Sequence, residues 1–205
     1  YEFDGIDLDW EFPLSQDEFD AYNSFLQELK ARMKTEMWNK EDATLSLALA
    51  TWALKYTPET IECIDYVNAM GYDILDQDGQ HSSFFSSCVQ AADYIEIQGF
   101  SKEQINIGFP FYGTWEGGRM EQYAYNAISE EISPFNNFYT MKKSDTKEDR
   151  YTYFNSQAII RDKTAYAYLK GYGGVMIFSQ YCDLPSDDER SLTKAISDYL
   201  QEVTK

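Results

Sequence analysis

The feature that most restricts the fold is an alternation of short apolar runs with amphipathic stretches, repeated five times along 205 residues. Residues 6–12, 44–50, 65–72, 104–110 and 173–178 read as strands. After the first, Ser15 and Glu18 have the spacing of a capping box, and Phe19, Tyr22, Leu26, Leu29, Met33 and Met37 recur at three- and four-residue steps. That pattern predicts a helix to about Trp38. Pro58 opens a short helix, 84–98 form a helix stopped by Gly99, 156–170 form one stopped by Gly171, and Pro185 and Ser186 lead into a last helix ending near 203. Strands alternating with helices predict a parallel sheet in an α/β fold, its apolar strands covered on both faces. Residues 111–155 read as a long, aromatic, irregular segment with a charged run from 142 to 150. No linker or break in composition divides the chain, so a single domain is expected.

The first strand carries an unusual load. Ile6, Leu8, Trp10 and Phe12 alternate with Asp7, Asp9 and Glu11. The apolar set anchors one face; the acids, about 7 Å apart along the strand, share the other. Three carboxylates at that spacing repel, and folding gives no reason to collect them. If the face is partly buried, their titrations couple and one carboxyl can stay protonated near neutral pH, ready to act as an acid. In α/β folds, chemistry sits at the carboxyl ends of strands, which is where Pro13 begins a loop.

Composition narrows the partners. The formal net charge of −18 repels nucleic acid and anionic membranes, so neither is an expected partner. Aromatic residues make up 17 %, which supplies core and flat surfaces for sugar rings alike. Cys63, Cys88 and Cys182 lack metal-ligand spacing and read as small buried apolar residues, with one disulfide plus a free thiol as the alternative. The chain opens in the middle of a strand, and sequence upstream of Tyr1 is expected.

The segment Phe3-Asp4-Gly5-Ile6-Asp7-Leu8-Asp9-Trp10-Glu11-Phe12-Pro13 resembles the D-x-x-D-x-D-x-E strand of family 18 glycoside hydrolases, the chitinases and their relatives. Asn68-Ala69-Met70-Gly71-Tyr72-Asp73 resembles the family's sixth strand, Gly108-Phe109-Pro110-Phe111-Tyr112-Gly113 its seventh and Gly173-Gly174-Val175-Met176-Ile177-Phe178 its eighth. The resemblance implies a (β/α)8 TIM-barrel fold of which about five βα units, strands four to eight, are present. Residues 1–205 then form the C-terminal part of a catalytic domain. Five strands cannot close an eight-stranded barrel, so open sheet edges able to pair with another copy are expected.

The resemblance also implies the chemistry. It is hydrolysis of β-1,4 bonds between N-acetylglucosamine units with assistance from the substrate's own acetamido group, an exception to the usual two-carboxylate scheme. Glu11 would be the acid and then the base, Asp9 would hold the acetamido group, and Asp7 would share a proton with Asp9. Tyr72 would donate to the acetamido carbonyl and Asp73 would hold the sugar. Met70, Tyr112, Phe178, Trp52 and Trp115 would line the site. Asp4, out of step with the alternation, is assigned to local structure. Non-proline cis peptide bonds are implied at Glu11–Phe12 and Phe178–Ser179. The sequence departs from the family at Phe178, where a Trp is usual, and at Thr114, where an Arg often follows Tyr-Gly. No cofactor is expected, and an extracellular or cell-surface location is implied.

Other readings are weaker. Asp7, Asp9 and Glu11 on one strand face would not encircle a cation, and His81 is the chain's one histidine. Asp76-Gln77-Asp78-Gly79 begins like a calcium loop, but Ser87 stands where its bidentate Glu belongs. An endo-β-N-acetylglucosaminidase acting on N-glycans and a sugar-binding module without catalysis are the alternatives within the resemblance; the presence of Glu11 favours catalysis.

Overall fold

A computed structural model of the chain describes residues 2–38, 42–52, 54–75, 84–115, 122–128, 130–142 and 149–205. Five parallel strands form the main sheet: β1 (Gly5–Leu8), β2 (Thr44–Leu49), β3 (Tyr66–Ala69), β4 (Ile105–Pro110) and β9 (Gly174–Phe178), in the spatial order β1-β2-β3-β4-β9. The helices between them are α1 (Gln16–Glu36), α2 (Pro58–Cys63), α3 (Phe85–Ile97) and α5 (Gln157–Lys170), and α6 (Leu192–Val203) closes the chain. The five βα units expected from the sequence are therefore present. Their boundaries differ at the ends: the first strand stops at Leu8 rather than Phe12, and the last helix starts at Leu192, capped by Ser191, rather than after Ser186.

The helix signals act as read. Ser15 accepts from the Glu18 amide at 3.2 Å while the Glu18 carboxylate takes the Ser15 amide at 2.9 Å, so the capping box satisfies two otherwise orphaned donors. Gly171 ends α5 in the left-handed region at φ 78°, which an L side chain adopts only with strain.

Along β2 and β3 one face is packed and the other is less covered, which corrects for these strands the expectation of cover on both faces; β4 is buried on both. Along β2, Leu45, Leu47 and Leu49 are buried while Thr44, Ser46 and Ala48 are half-buried. The buried face meets Tyr22, Leu26 and Met33 of α1 and Ala91, Ala92 and Ile95 of α3 in one hydrophobic cluster. Buried polar ties lock the helices to the sheet. Lys30 of α1 donates to the Ala43 carbonyl at 2.9 Å and forms an ion pair with Asp65, whose carboxylate also takes the Leu45 amide at 2.6 Å. Asp183, buried, accepts from the Ser191 hydroxyl and the Leu192 and Thr193 amides at 2.8–2.9 Å and so holds the start of α6.

Residues 111–155 are not irregular. They contain β5 (Tyr112–Trp115), β6 (Gln122–Ala124), a short helix α4 (Tyr125–Ile128), β7 (Phe138–Lys142) and β8 (Asp149–Tyr153). The strands make a second, antiparallel sheet in the order β6-β5-β8-β7, inserted between β4 and β9. Strands of three to five residues leave too few positions for a clear period of two. The composition nonetheless pointed there: Phe138-Tyr139-Thr140 and Tyr151-Thr152-Tyr153 are all strong strand formers. All three cysteines are free, and only Cys88 is fully buried; Cys63 and Cys182 are half-buried, contrary to the reading of all three as core residues.

Candidate active site

The acids of the first strand divide between two kinds of backbone. Asp7 lies within β1; Asp9 and Glu11 lie in the loop that follows. Alternation still sorts the side chains. Ile6 and Leu8 pack against the core, Trp10 meets Tyr22 edge-on at 5.0 Å, and Phe12 meets Trp52 at 4.9 Å. An apolar pocket lined by Trp10, Phe12, Phe19, Trp52 and Tyr56 occupies that side and carries no acid. Asp7, Asp9 and Glu11 are exposed. The partly buried acidic face on which coupled titration would depend is thus not what the described residues form, because the less-covered face of the sheet is the one on which Asp7 lies. Cis peptide bonds join Glu11 to Phe12 and Phe178 to Ser179.

Asp7 is held by a polar layer that crosses the whole sheet. Its Oδ1 accepts from the Ser46 hydroxyl of β2 and from Asn68 Nδ2 of β3 at 3.1 Å. Asn106 of β4 donates to Asn68 Oδ1 at 3.1 Å, and its side chain lies where a Cβ on Gly174 of β9 would stand, 2.7 Å from Oδ1. Register sets Asp7 level with Ser46, and Asn68 level with Asn106 and Gly174; between β2 and β3 the layer steps by two residues, because Asn68 is level with Ala48 and Ser46 with Tyr66. The sequence reading missed Ser46, Asn68 and Asn106. The signal for Asn68 and Asn106 was a polar amide in the middle of otherwise apolar strands, where Asn is a poor strand former, and for Ser46 a lone hydroxyl between Leu45 and Leu47.

Beyond the ends of β3, β4 and β9 three aromatic rings assemble. Tyr72 stacks on Phe178 with centroids 5.6 Å apart and planes at 15°; Tyr112 stands edge-on to both, at 6.3 and 6.2 Å. The Tyr112 hydroxyl donates to Asp73 Oδ1 at 2.9 Å, and Asp73 itself has a φ of 55°, a left-handed backbone unusual for a residue other than glycine. Burial, then the carboxylates of Asp9, Asp73 and Glu11, hold the Tyr72 hydroxyl well above the usual tyrosine range. The same acids therefore lie close enough to Tyr72 to act on its charge, and its hydroxyl remains a donor throughout the physiological range. Burial and then Asp73 raise Tyr112 likewise. Burial, with help from Asp7 and Asp9, pushes Tyr22 up to about 12, which places Asp9 within the electrostatic reach of both Tyr22 and Tyr72.

The remaining candidates are placed as follows. Phe178 is 47 % exposed, so one side of its ring is open although the other covers Tyr72. Met70, half-buried, directly follows β3, its amide bonded to the Leu49 carbonyl at 2.9 Å. Trp52 sits against Phe12, on the apolar side, rather than with Tyr72 and Tyr112. Trp115 ends β5, but its side chain lies outside the described residues, as do His81 and the segment 76–79. Among the described residues there is no cluster of metal-ligating side chains, and no helix is long and apolar enough to cross a membrane.

Comparison with known proteins decides what this arrangement belongs to. Residues 1–183 match the family model described as glycosyl hydrolases family 18. The chain belongs to that family. It is 28 % identical over 136 residues to a probable endochitinase of Caenorhabditis elegans, covering 54 % of this chain and 22 % of that protein. It is 26 % identical over 156 residues to a class V chitinase of Arabidopsis thaliana, covering 65 % of this chain and 41 % of that one. A family 18 chitinase of Cycas revoluta, solved in complex with (GlcNAc)3, superposes with a TM-score of 0.77 at 19 % identity, over 97 % of this chain and 68 % of that one. The family 18 chain thus spans less than half the length of these curated relatives. Its fold is that of the TIM-barrel chitinases, with five βα units present.

Proposed function

We propose that this chain contributes to hydrolysis of β-1,4 bonds between N-acetylglucosamine units, in chitin or its oligosaccharides, by a retaining mechanism in which the substrate's acetamido oxygen attacks the anomeric carbon. Glu11 protonates the leaving oxygen and then takes a proton from the incoming water. Asp9 orients the acetamido group and stabilises the positive charge it gains. Asp7, fixed by Ser46 and Asn68, sets the position of Asp9. Tyr72, kept protonated, donates to the acetamido carbonyl, with Asp73 and Tyr112 on the same sugar and Phe178 beneath it. One observation carries this reading: Tyr72 stacks on Phe178 at 5.6 Å, Tyr112 stands edge-on to both, and the Tyr112 hydroxyl donates to Asp73 Oδ1 at 2.9 Å, so three strand ends converge on one aromatic and acidic site. No cofactor takes part.

The exposure of Asp7, Asp9 and Glu11 favours a second reading, in which residues 1–205 bind amino sugars and need further βα units, packed beside β1 and β9, to exclude water for catalysis. These two strands end the sheet order, so a second copy could associate there as well. Fluorophore release from a chitobiose glycoside by the unmodified chain separates the readings, and Glu11→Gln then tests the acid. It should abolish fluorophore release from a chitobiose glycoside while leaving oligosaccharide binding intact; unchanged turnover would refute the role of Glu11. Faster release of a high-mannose glycan from a glycopeptide than of fluorophore from chitobiose would instead assign an endo-β-N-acetylglucosaminidase. The relatives' activities suggest an extracellular or cell-surface setting, where polymeric substrate is found.

A further inference from the structure

Glu11 stands in a stretch that hydrogen bonds do not hold. β1 ends at Leu8, and no described residue makes a hydrogen bond with Trp10, Glu11 or Phe12. What meets this stretch instead is a pair of rings. Trp10 and Phe12, the neighbours of Glu11 on either side, each take an edge-on partner: Tyr22 of α1 at 5.0 Å and 84°, and Trp52, after β2, at 4.9 Å and 64°. These are the two shortest ring contacts among the described residues, the next being Tyr72 with Phe178 at 5.6 Å.

Both partners are founded on one turn of α1. Tyr22 is buried, stacked on Phe25 at 6.3 Å and tilted against Tyr56 at 6.2 Å. Asn23, next to it and also buried, donates to the Phe19 carbonyl at 2.7 Å and the Lys55 carbonyl at 3.0 Å, and its Oδ1 accepts from the Thr57 amide at 3.0 Å. The loop that carries Trp52 is thus tied to α1 just past the ring, by a buried amide that satisfies two loop backbone groups. Trp10 and Phe12 also line the apolar pocket, so each ring is open on one side and its edge-on partner limits where it can move. Edge-on pairs add to what area burial gives and favour one mutual orientation.

We propose that Tyr22, Asn23 and Trp52 are positioning residues for Glu11, a brace that fixes the chain before and after it and so sets where its carboxyl meets the leaving oxygen. This rests on the acid role given to Glu11 above and deepens it. A general acid works only within hydrogen-bond reach of the atom it protonates, and a displacement of about 1 Å can cost about 100-fold in rate. The brace reaches the reaction through Glu11 alone, so it governs turnover rather than sugar binding.

The test uses the whole chain and two readouts. Fluorophore release from a chitobiose glycoside gives kcat and KM, and backbone relaxation measured by NMR gives the mobility of the Glu11 amide, which needs no turnover. Trp52→Leu and Tyr22→Leu each remove one edge-on ring and should lower kcat about fivefold to tenfold, the scale of one such contact, with KM within about twofold. The Glu11 amide should become more mobile in both, and that of Asp7, inside β1, should not. Trp52 is 47 % exposed, so its replacement leaves the core packed even if that of Tyr22 does not. Trp52→Phe and Tyr22→Phe restore a ring edge and should recover most of kcat. Trp38→Leu, which removes an exposed tryptophan just past α1, should move neither readout. An unchanged Glu11 amide in Trp52→Leu, a loss that falls on KM alone, or no recovery by the phenylalanine variants would overturn the brace while leaving Glu11 as the acid. Absence of turnover by the unmodified chain would refute the hydrolysis reading, and the Glu11 amide would still decide the brace.

Discussion

The polar layer that fixes Asp7 makes a quantitative prediction. Asn68→Leu keeps the number and branching of the side-chain heavy atoms and removes two hydrogen bonds at once: the donor to Asp7 Oδ1 and the acceptor for Asn106 Nδ2, each 3.1 Å. A hydrogen bond to a charged group is worth about 1.5–3 kcal/mol, but Asp7 is exposed, so solvent screening brings its share to about 1 kcal/mol. The half-buried Asn106 amide, left without its partner, adds about 1 kcal/mol. The variant should therefore unfold about 2 kcal/mol more easily, measured by urea denaturation with an unchanged m-value. A double-mutant cycle with Asp7→Ala apportions the loss: about 1 kcal/mol should disappear in the Asp7→Ala background, and the part due to Asn106 should persist. A coupling within about 0.3 kcal/mol of zero, the level of independent sites, would show that Asn68 does not hold Asp7, and the positional account of Asp7 would fall with it.

Gly108→Ala should damage the site from below, because its Cβ would stand 2.6 Å from the Ala69 carbonyl oxygen and 2.9 Å from Tyr72 Cε1; a stability loss of about 1–3 kcal/mol and weaker oligosaccharide binding are expected in thermal melts and calorimetry. Lys30→Met leaves the Ala43 carbonyl and the Asp65 carboxylate short of a donor, and should cost about 3 kcal/mol in denaturant unfolding, with Lys30→Arg losing less. Tyr22, raised to about 12 from an ordinary value near 10, favours the folded state fully below pH 10, and that contribution drains away as pH rises from about 10 to about 12; alkaline unfolding of Tyr22→Phe should lack this component. Asp9→Asn, by removing one of the charges responsible, should lower the spectrophotometric titration midpoint of Tyr22. Phe178→Trp offers a larger open face and an N–H, and should tighten chitobiose binding several-fold in calorimetry; unchanged or weaker binding would count against Phe178 as the floor of the site.

Much of the main sheet was legible because its signals are local. Leu45, Leu47 and Leu49 alternate, Ser15 and Glu18 cap α1, and Gly171 stops α5, so each boundary is set by residues within a few positions of it. The second sheet was not legible as such because its strands are short and its pairing is nonlocal: β5 pairs with β8 across more than 30 residues, between which β6, α4 and β7 intervene. Aromatic and threonine content carried the strand preference, but nothing local specified the partner.

The candidate site divides along the same line. Asp7, Asp9 and Glu11 were visible as an alternating row, and Tyr72, Asp73, Tyr112 and Phe178 through the resemblance of three later strands to those of family 18. What no local pattern states is which strand-end residues touch. Trp52, placed by its loop as a wall of the site, packs on Phe12, since the side chains after β2 follow the apolar face of the first strand rather than the acidic one. Asn68 and Asn106 become interpretable only once register sets them level across β3 and β4, two elements nearly 40 residues apart in the chain. A half-buried amide in mid-strand needs a partner, and Asp7 of β1 supplies a charged one to Asn68 across β2. The polar layer and the acidic row therefore constrain each other. The amides need the carboxylate to be satisfied, and the carboxylate needs the amides to hold one position on an otherwise open sheet face.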